Sequence, residues 1–353
     1  MAWTKEVFAV LENGVEAERY TLTNENGVSA SFTNLGAMWL TMIVPDKNGN
    51  LADVVLGYDN AEQYLTSTDH LGEVVGRNAN RIGDAVFTLN EFTYALRIND
   101  NNRNNLHSGP DFYRERLWDA DVEEDDLGIR INFTLFSPDG DQGYPGNAQI
   151  AVSYTLTEDN SIKIDYHMTA DEDTIANMTN HSYFNLSGHD SGCAMKQKVW
   201  INADQYTPMD EVSIPTGEIA DVKGTPMDFT VMKPIEQDID ADFEQIRFGV
   251  GYDHNWILNH DPGELALAAK AYDEISGRVM EVYTDLPGVQ FYTANWMEPQ
   301  PGKQGAVYGK RHGYCFETQY FPDAINKPQF PTPVLREGEE YRTTTIYHFD
   351  VVD

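Results

Sequence analysis

The chain has 353 residues, of which 24 are Lys or Arg and 57 are Asp or Glu, and its net charge at pH 7 is −33. A field of this sign repels a phosphate backbone or an anionic membrane surface, so neither nucleic acid nor a membrane is expected as a partner. A single all-β domain often contains more than about 200 residues, so the length alone does not show that the chain has more than one domain.

Cysteine usage and apolar runs indicate the compartment. Cys193 and Cys315 lie far apart and form no CxxC motif, which favours buried thiols in a reducing environment. Residues 1–6 lack the features of a secretory leader, and the apolar run 37–44 is too short to cross a bilayer. We therefore expect a soluble, cytoplasmic protein.

Short segments rich in Val, Ile, Thr, Tyr and Phe recur along the chain and are separated by turn sequences such as Asn26-Gly27 and Pro145-Gly146. Helical periodicity is confined to residues 60–65 and 239–245. This pattern predicts one all-β domain over residues 1–353, a large antiparallel β-sandwich with very little helix. The clearest predicted strands are residues 20–23, 53–57, 85–89, 131–136, 150–156, 313–321 and 343–349.

Acidic runs at residues 123–126, 171–173 and 238–242 are candidate cation sites by composition alone. None of them has the spacing of a calcium-binding EF-hand loop with its closing Glu, so solvated loops are favoured. Residues 139–144 come nearest to a calcium-binding pattern, but their glycines suit a tight connection equally well. We predict no metal site in these runs.

A single carboxylate, Glu317, lies in residues 313–321, which otherwise have the pattern of a buried strand. Alternation places Phe316 and Thr318 on one face and Glu317 and Gln319 on the other. A carboxylate shielded from water has a raised pKa, which suits a proton acceptor working near neutral pH. A structural Glu bonded to a neighbouring strand is the alternative.

Four further segments place polar groups in apolar or glycine-rich surroundings. Alternation in the third segment predicts that His181, Tyr183 and Asn185 share one face. Arg and Asn side chains can bind hydroxyls or a carboxylate, although each His or Asp is equally compatible with a structural role. The segments are residues 76–83 with Arg77, Asn80 and Arg81, residues 104–109 with His107, residues 179–188 with His181 and Tyr183, and residues 251–256 with Asp253 and His254.

At these residues the sequence resembles the aldose 1-epimerase family, the galactose mutarotases. Six motifs occur in the family order over nearly the whole chain, and six motifs in register are a specific signal. They are GRNANRIG around Arg81, NNLHSG around His107, NHSYFNLSG around His181, GYDHNW around Asp253, LPGVQFYTANW around Gln290 and CFETQYFPDAINKP around Glu317.

The resemblance implies a galactose mutarotase type of β-sandwich with an open cleft and with no metal or organic cofactor. It implies an enzyme that interconverts the α and β anomers of free aldohexoses such as galactose and glucose. In this interpretation Glu317 is the general base and His181 is the general acid. The resemblance assigns contacts with the sugar hydroxyls to Asn80, Arg81, His107, Tyr183, Asp253 and Gln290.

Two departures from the family pattern affect the rim of the cleft. Ala294 stands where a glycine is usual, and residues 110–113 occupy a region that often contains another glycine. Aromatic residues could also pack against the apolar face of a sugar ring, and Trp256, Phe291 and Trp296 are the candidates, with core packing as the alternative.

Three other functions remain open at this point. A hexose-6-phosphate 1-epimerase needs Lys or Arg in the cleft, where Arg77 and Arg81 are the obvious basic pair. A non-catalytic sugar-binding β-sandwich needs no acid and base. A glycosidase would use two carboxylates, here Asp253 and Glu317.

Overall fold

The computed structural model describes residues 1–125 and 127–352. Over these ranges 45% of the residues are in strands and 9% are in helices, which confirms the all-β class. The strands, in chain order, are β1 (Ala2–Val10), β2 (Glu16–Thr23), β3 (Ser29–Thr33), β4 (Met38–Pro45), β5 (Leu51–Asp53), β6 (Val74–Val75), β7 (Arg81–Ile82), β8 (Val86–Leu89), β9 (Phe92–Ala95), β10 (Asn105–Leu106), β11 (Asp119–Asp125), β12 (Gly128–Ser137), β13 (Ala148–Thr157), β14 (Ser161–Ala170), β15 (Thr174–Ile175), β16 (Thr179–Asn180), β17 (Lys198–Ile201), β18 (Gln205–Thr207), β19 (Ala220–Asp221), β20 (Lys233–Pro234), β21 (Asp253–Ile257), β22 (Ala266–Tyr272), β23 (Arg278–Thr284), β24 (Gly288–Tyr292), β25 (Gln300–Pro301), β26 (Val307–Tyr308), β27 (Cys315–Gln319), β28 (Val334–Leu335) and β29 (Glu340–Val351).

Three large antiparallel sheets organise these strands. A five-stranded sheet has the order β1-β2-β3-β4-β5, and a nine-stranded sheet has the order β11-β12-β13-β14-β29-β23-β22-β17-β20. The third, which we name the cleft sheet, has the order β19-β18-β21-β24-β27. The C-terminal strand β29 pairs with both β14 and β23, so the end of the described chain fills the middle of the nine-stranded sheet.

One hydrophobic cluster draws side chains from all three large sheets. Phe32 of β3 stacks on Tyr154 of β13 with ring centroids 4.4 Å apart, and Trp39 of β4 contacts Tyr347 of β29 edge to face at 5.6 Å. Aromatic side chains from the inward faces of facing sheets therefore fill the space between them, which is the packing of a β-sandwich.

Two short α-helices occur in the described residues. α1 (Ala61–Thr66) begins after Asn60, whose side chain accepts a hydrogen bond from the Gln63 N–H, and this confirms the helix predicted over residues 60–65. The helix predicted over residues 239–245 is wrong in its bounds, because α2 is Glu244–Gly249 and the preceding acidic residues form turns. No helix in the described ranges is long and apolar enough to cross a membrane.

The predicted strand over residues 53–57 is wrong in its extent. β5 ends at Asp53, and the following residues pair instead with a loop: the Leu56 N–H donates to the Tyr183 carbonyl and the Asn185 N–H donates to the Val54 carbonyl. This pairing fixes the backbone from Tyr183 to Asn185.

Several Asp side chains of the acidic runs form hydrogen bonds or ion pairs within the protein. Asp141 forms an ion pair with Arg116, Asp171 accepts from Asn147, and Asp173 forms an ion pair with Arg336. In the run 238–242, each of the three aspartates pairs with a Lys or Arg side chain. Asp126 of the run 123–126 lies outside the described residues.

Two predictions about single residues are wrong. Cys193 is exposed, in a loop that follows Gly192, whereas Cys315 is buried as expected. Arg77 does not share a cleft with Arg81, because its side chain is fully buried and donates to the carbonyls of Ser137 and Pro145. Arg77 thus supplies donors to buried backbone carbonyls at the end of β12 and in the connection that follows it.

We expect Arg77→Met to lower the free energy of unfolding by roughly 3 kcal/mol or more, since several buried carbonyl groups would lose their donor. Denaturant unfolding measures this change. Arg97→Met is the matched control, because Arg97 pairs with Asp111 while 65% exposed, and it should cost at most about 1 kcal/mol. Equal unfolding midpoints for the two variants would contradict the assignment.

Candidate active site

A cleft of about 410 Å³ opens on the cleft sheet, and it gathers residues from distant parts of the chain. Strands β21, β24 and β27 provide Asp253, Gln290 and Glu317, while loops and short ladders provide the rest. All eight residues predicted for the site line this cleft: Asn80, Arg81, His107, His181, Tyr183, Asp253, Gln290 and Glu317.

Strand pairing sets the direction of Glu317. β27 pairs with β24 so that Glu317 lies opposite Gln290, and the Gln290 amide donates to the Asp253 carboxylate at 2.7 Å. On the other face of β27, the Phe316 carbonyl accepts from the Tyr347 hydroxyl at 2.7 Å and the Thr318 hydroxyl bonds to a threonine of β29. The predicted alternation is therefore confirmed, and the inner face of β27 is fixed to the nine-stranded sheet.

His181 and Glu317 form a buried acid–base contact in the cleft. His181 Nε2 lies 3.6 Å from Glu317 Oε1, and both side chains are at least nine-tenths buried. The other ring nitrogen of His181 lies 3.6 Å from the Cys315 sulfur. Among the described residues, Glu317 Oε2 has no hydrogen-bond partner. One carboxylate oxygen is thus free to accept a proton from a ligand.

Burial shifts the pKa values of this pair in opposite directions. Desolvation raises the pKa of Glu317 well above its usual range, with the Asp253 charge adding to the effect and Arg81 opposing it. Desolvation, reinforced by the charge of His70, lowers the pKa of His181 to about 3. Both shifts disfavour the charged forms, so burial favours the state of the pair in which Glu317 is protonated and His181 is neutral.

A second polar network surrounds Arg81. Its Nε donates to Asp100 at 3.2 Å, and its Nη1 lies 3.9 Å from the Asp253 carboxylate. Desolvation raises the pKa of Asp253 while Arg81 opposes that rise. The network presents several donors and acceptors to the cleft, which suits the recognition of several hydroxyl groups.

Asn80 and His107 adopt left-handed backbone conformations, with φ of 64° and 54°. Residues other than glycine rarely adopt this conformation, and such positions often occur at functional sites. The Asn80 N–H donates to His107 Nδ1 at 3.1 Å, so Nε2 is the ring nitrogen left for a ligand. Burial lowers the pKa of His107 well below its usual value and keeps the imidazole neutral.

His107, His181 and Glu317 form the cluster that could hold a divalent ion, because one ligand atom from each lies within 4.8 Å of the others. Neutral imidazoles and a carboxylate are ligands that zinc accepts. The absence of a metal or an organic cofactor stays a prediction.

Tyr183 and Asn185 differ in position although alternation placed them on one face. The Tyr183 ring packs on His181 with centroids 5.1 Å apart. Asn185 instead donates to the carbonyls of Gly192 and His312 and lies outside the cleft. The reason is that the strand ends at Asn180, so period-two alternation does not continue along this segment.

Of the three aromatic candidates for a sugar platform, Trp296 lines the cleft and is 62% exposed. Trp256 and Phe291 are fully buried in the core. Ala294, which precedes Trp296, has a φ of 49°. This left-handed conformation explains why a glycine suits that position.

Sequence reasoning missed several residues that line the cleft, including Asp69, His70 and Tyr292. The position of Tyr292 could have been predicted from the sequence, because Tyr292 lies two residues after Gln290 on β24 and therefore on the same face of the strand. This alternation carries a usable signal. His70 carries none, because it lies in a loop with no periodicity and meets His107, Phe112 and His181 only through the tertiary fold.

Comparison with known proteins gives consistent matches. Residues 18–348 match the family described as aldose 1-epimerase. The chain is 41% identical to the galactose mutarotase of Bos taurus over 350 residues, covering 99% of this chain and 98% of the bovine one. It is 36% identical to the aldose 1-epimerase of Escherichia coli K12, covering 98% of each. The crystal structure of galactose 1-epimerase from Lactobacillus acidophilus NCFM superimposes with a TM-score of 0.87 at 28% identity, covering 100% of this chain and 99% of that one.

We expect the carboxyl group of Glu317 to titrate well above about 4.3, the ordinary value for glutamate, because burial disfavours its ionised form. A 13C NMR titration of Glu-labelled protein measures this, with the signal identified by its loss in Glu317→Gln. Glu340 is an internal reference, since its bond with Arg342 lowers its pKa. A Glu317 signal that titrates together with that of Glu340 would contradict the electrostatic description.

Proposed function

Because the chain belongs to the aldose 1-epimerase family, we propose that its cleft interconverts the α and β anomers of free aldohexoses, with Glu317 as general base and His181 as general acid. The observation that carries this proposal is the buried contact of 3.6 Å between His181 Nε2 and Glu317 Oε1. Two proton-transfer groups at one point of a polar cleft are what ring opening requires.

The reaction needs two proton transfers in each direction. Glu317 removes the proton of the C1 hydroxyl, the C1–O1 double bond forms, the bond between C1 and the ring oxygen breaks, and His181 donates a proton to that oxygen. Rotation about the C1–C2 bond then presents the other face of the aldehyde. Closure reverses every transfer, so both residues return to their starting protonation states.

The exclusion of water from the His181–Glu317 pair favours the ring-opening step. Ring opening proceeds from the charged form of the pair, in which the shared proton has moved from Glu317 to His181, so that Glu317 is a carboxylate and His181 is an imidazolium. After opening, both side chains are neutral, and this is the state that desolvation favours for both groups. The burial that makes the charged pair costly therefore stabilises the complex with the open-chain sugar.

The remaining polar side chains hold the sugar while C1 turns. This role requires contacts with hydroxyl groups distant from C1, and the network of Arg81, Asp253 and Gln290 offers donors and acceptors for them. Trp296 at the rim offers an exposed aromatic surface. Asn80, His107 and Tyr183 complete the proposed set of substrate contacts.

The charges that line the cleft favour binding of neutral sugars over sugar phosphates. Arg81 is the single basic side chain, Lys or Arg, among the described residues that line the cleft, and it lies beside Asp100 and Asp253. Arg77, the other half of the predicted basic pair, is buried elsewhere. A phosphate dianion would therefore meet a pocket with more carboxylates than cations.

We also propose a cytoplasmic location and no nucleic-acid partner. The net charge of −33 supports the second point. The exposed free thiol of Cys193 supports the first, since such thiols persist in reducing compartments.

Glu317→Gln and His181→Asn should each lower kcat by about 10²-fold or more, because each removes one of the two proton-transfer groups of the same ring-opening step. Polarimetry on freshly dissolved α-D-galactose and α-D-glucose measures the rate. The double variant should lose less than the product of the two losses. His167→Asn and Glu340→Gln are matched controls, since these residues form a His–Glu pair at 3.4 Å outside the cleft. Wild-type turnover in a folded Glu317 or His181 variant would overturn the assignment.

Galactose and glucose should have higher kcat/KM than glucose 6-phosphate, because the cleft lacks the cations that bind a phosphate and the overall field repels a dianion. The comparison is made at two ionic strengths, since salt screens the long-range repulsion but not the local contacts. If the phosphate is the best substrate at both, the proposed substrate class is wrong while the acid–base roles can still hold.

A further inference from the structure

His70, Glu73 and Arg114 form a charged cluster beside His181 that the proposed chemistry does not use. His70 Nδ1 bonds to the Glu73 carboxylate, and Arg114 Nη1 lies 3.4 Å from its other oxygen. The Glu73 side chain is 2% exposed and the Arg114 side chain is 8% exposed. Burying such charges is unfavourable unless they are paired, so the cluster needs an explanation beyond surface solvation.

Ring contacts connect this cluster to the two histidines of the cleft. The His70 ring lies with its centroid 5.1 Å from that of His107 and 5.7 Å from that of His181. On its far side it meets Phe112 edge to face at 5.0 Å, and the Arg114 guanidinium lies 4.6 Å from that same ring. His70 is therefore held between an anchored aromatic ring and the imidazole of the proposed acid.

The backbone of the same segment holds the backbone of His181. The His181 N–H donates to the Glu73 carbonyl at 2.9 Å, and the Gly72 N–H donates to the His181 carbonyl at 3.0 Å. Glu73 thus contacts His70 through its side chain and His181 through its main chain. The main chain and the ring of His181 are both fixed by residues 70–73.

We propose that His70, held by Glu73 and Arg114, is a positioning residue that orients the His181 imidazole toward Glu317 for proton transfer. The proposal rests on the proposed roles of His181 and Glu317. Misplacing a reacting group by about 1 Å can cost 10²-fold in rate, so the support of one ring by another has a kinetic effect.

The charges around His181 give the proposal an electrostatic consequence. The charged and titratable groups that face it are Glu317, Cys315, Tyr183, Tyr292 and His107 of the cleft, and His70 and Glu73 of the cluster. Burial is the main reason for the lowered pKa of His181, the charge of His70 lowers it further and the charge of Glu73 opposes that effect. Removing the His70 imidazole should therefore raise the pH at which His181 titrates.

The first test is the kinetics of His70→Asn, in which the amide still donates to Glu73 but the ring contacts are lost. We expect kcat to fall about tenfold or more with KM changed less than about threefold. His167→Asn is the matched control, because it removes an imidazole paired with Glu340 outside the cleft. Glu73→Gln keeps the shape of the side chain that holds His70 and should also lower kcat. This variant tests the proposal if His70→Asn does not fold.

Two further readouts separate positioning from a general structural role. In a His181→Asn background, His70→Asn should cause no further loss of kcat, because a residue that acts through His181 has nothing left to act on. NMR of 13C-labelled histidine should show His181 titrating at higher pH in His70→Asn than in the wild type. An unchanged titration, or losses that multiply in the double variant, would overturn the proposal.

The outcomes also distinguish this proposal from the function on which it rests. If Glu317→Gln and His181→Asn keep wild-type turnover, the proposed acid–base roles fail, and the proposal for His70 fails with them. If those variants lose turnover while His70→Asn and Glu73→Gln match the wild type, the proposal for His70 alone fails.

Discussion

The burial of Glu317 and His181 within 3.6 Å of each other is the constraint on which the site depends. Desolvation disfavours charge on both groups, so the pair holds one proton and is most stable when both side chains are neutral. In the proposed mechanism, ring opening produces that neutral state from the charged one. Desolvation therefore raises the free energy of the complex with the closed sugar, in which the pair is charged, relative to the complex with the open-chain sugar.

Such a pair requires a rigid support, because two buried ionisable groups at contact distance would relax in a flexible setting. β27 provides one half of the support: its inner face bonds to Tyr347 and Thr345 of the nine-stranded sheet. The segment 70–73 provides the other half through backbone bonds to His181. The sandwich thus fixes Glu317, the proposed base, and a loop fixes His181, the proposed acid.

The part of the site that follows local rules could be predicted from the sequence. Period-two alternation gives the direction of Glu317 on β27, and every residue assigned by family resemblance lines the cleft. Alternation failed at Asn185 because the chain leaves the strand after Asn180. Arg77 and His70 could not be placed, since their positions depend on partners more than 40 residues away, such as Ser137 and Arg114. That residues 1–353 form one domain stays a prediction.

The central claim is that one proton shared by Glu317 and His181 drives the reaction, and the pH dependence of kcat/KM for galactose tests it most directly. Burial raises the pKa of Glu317 and lowers the pKa of His181. We therefore expect a bell-shaped profile in which both limbs report titration of the pair rather than of one residue each. Activity should fall in acid as the pair takes a second proton, and in alkali as the shared proton leaves. Circular dichroism at each pH confirms that the protein stays folded. A profile that shows only an acidic limb and stays level through the alkaline range would contradict the claim, because no proton of the pair would then be needed.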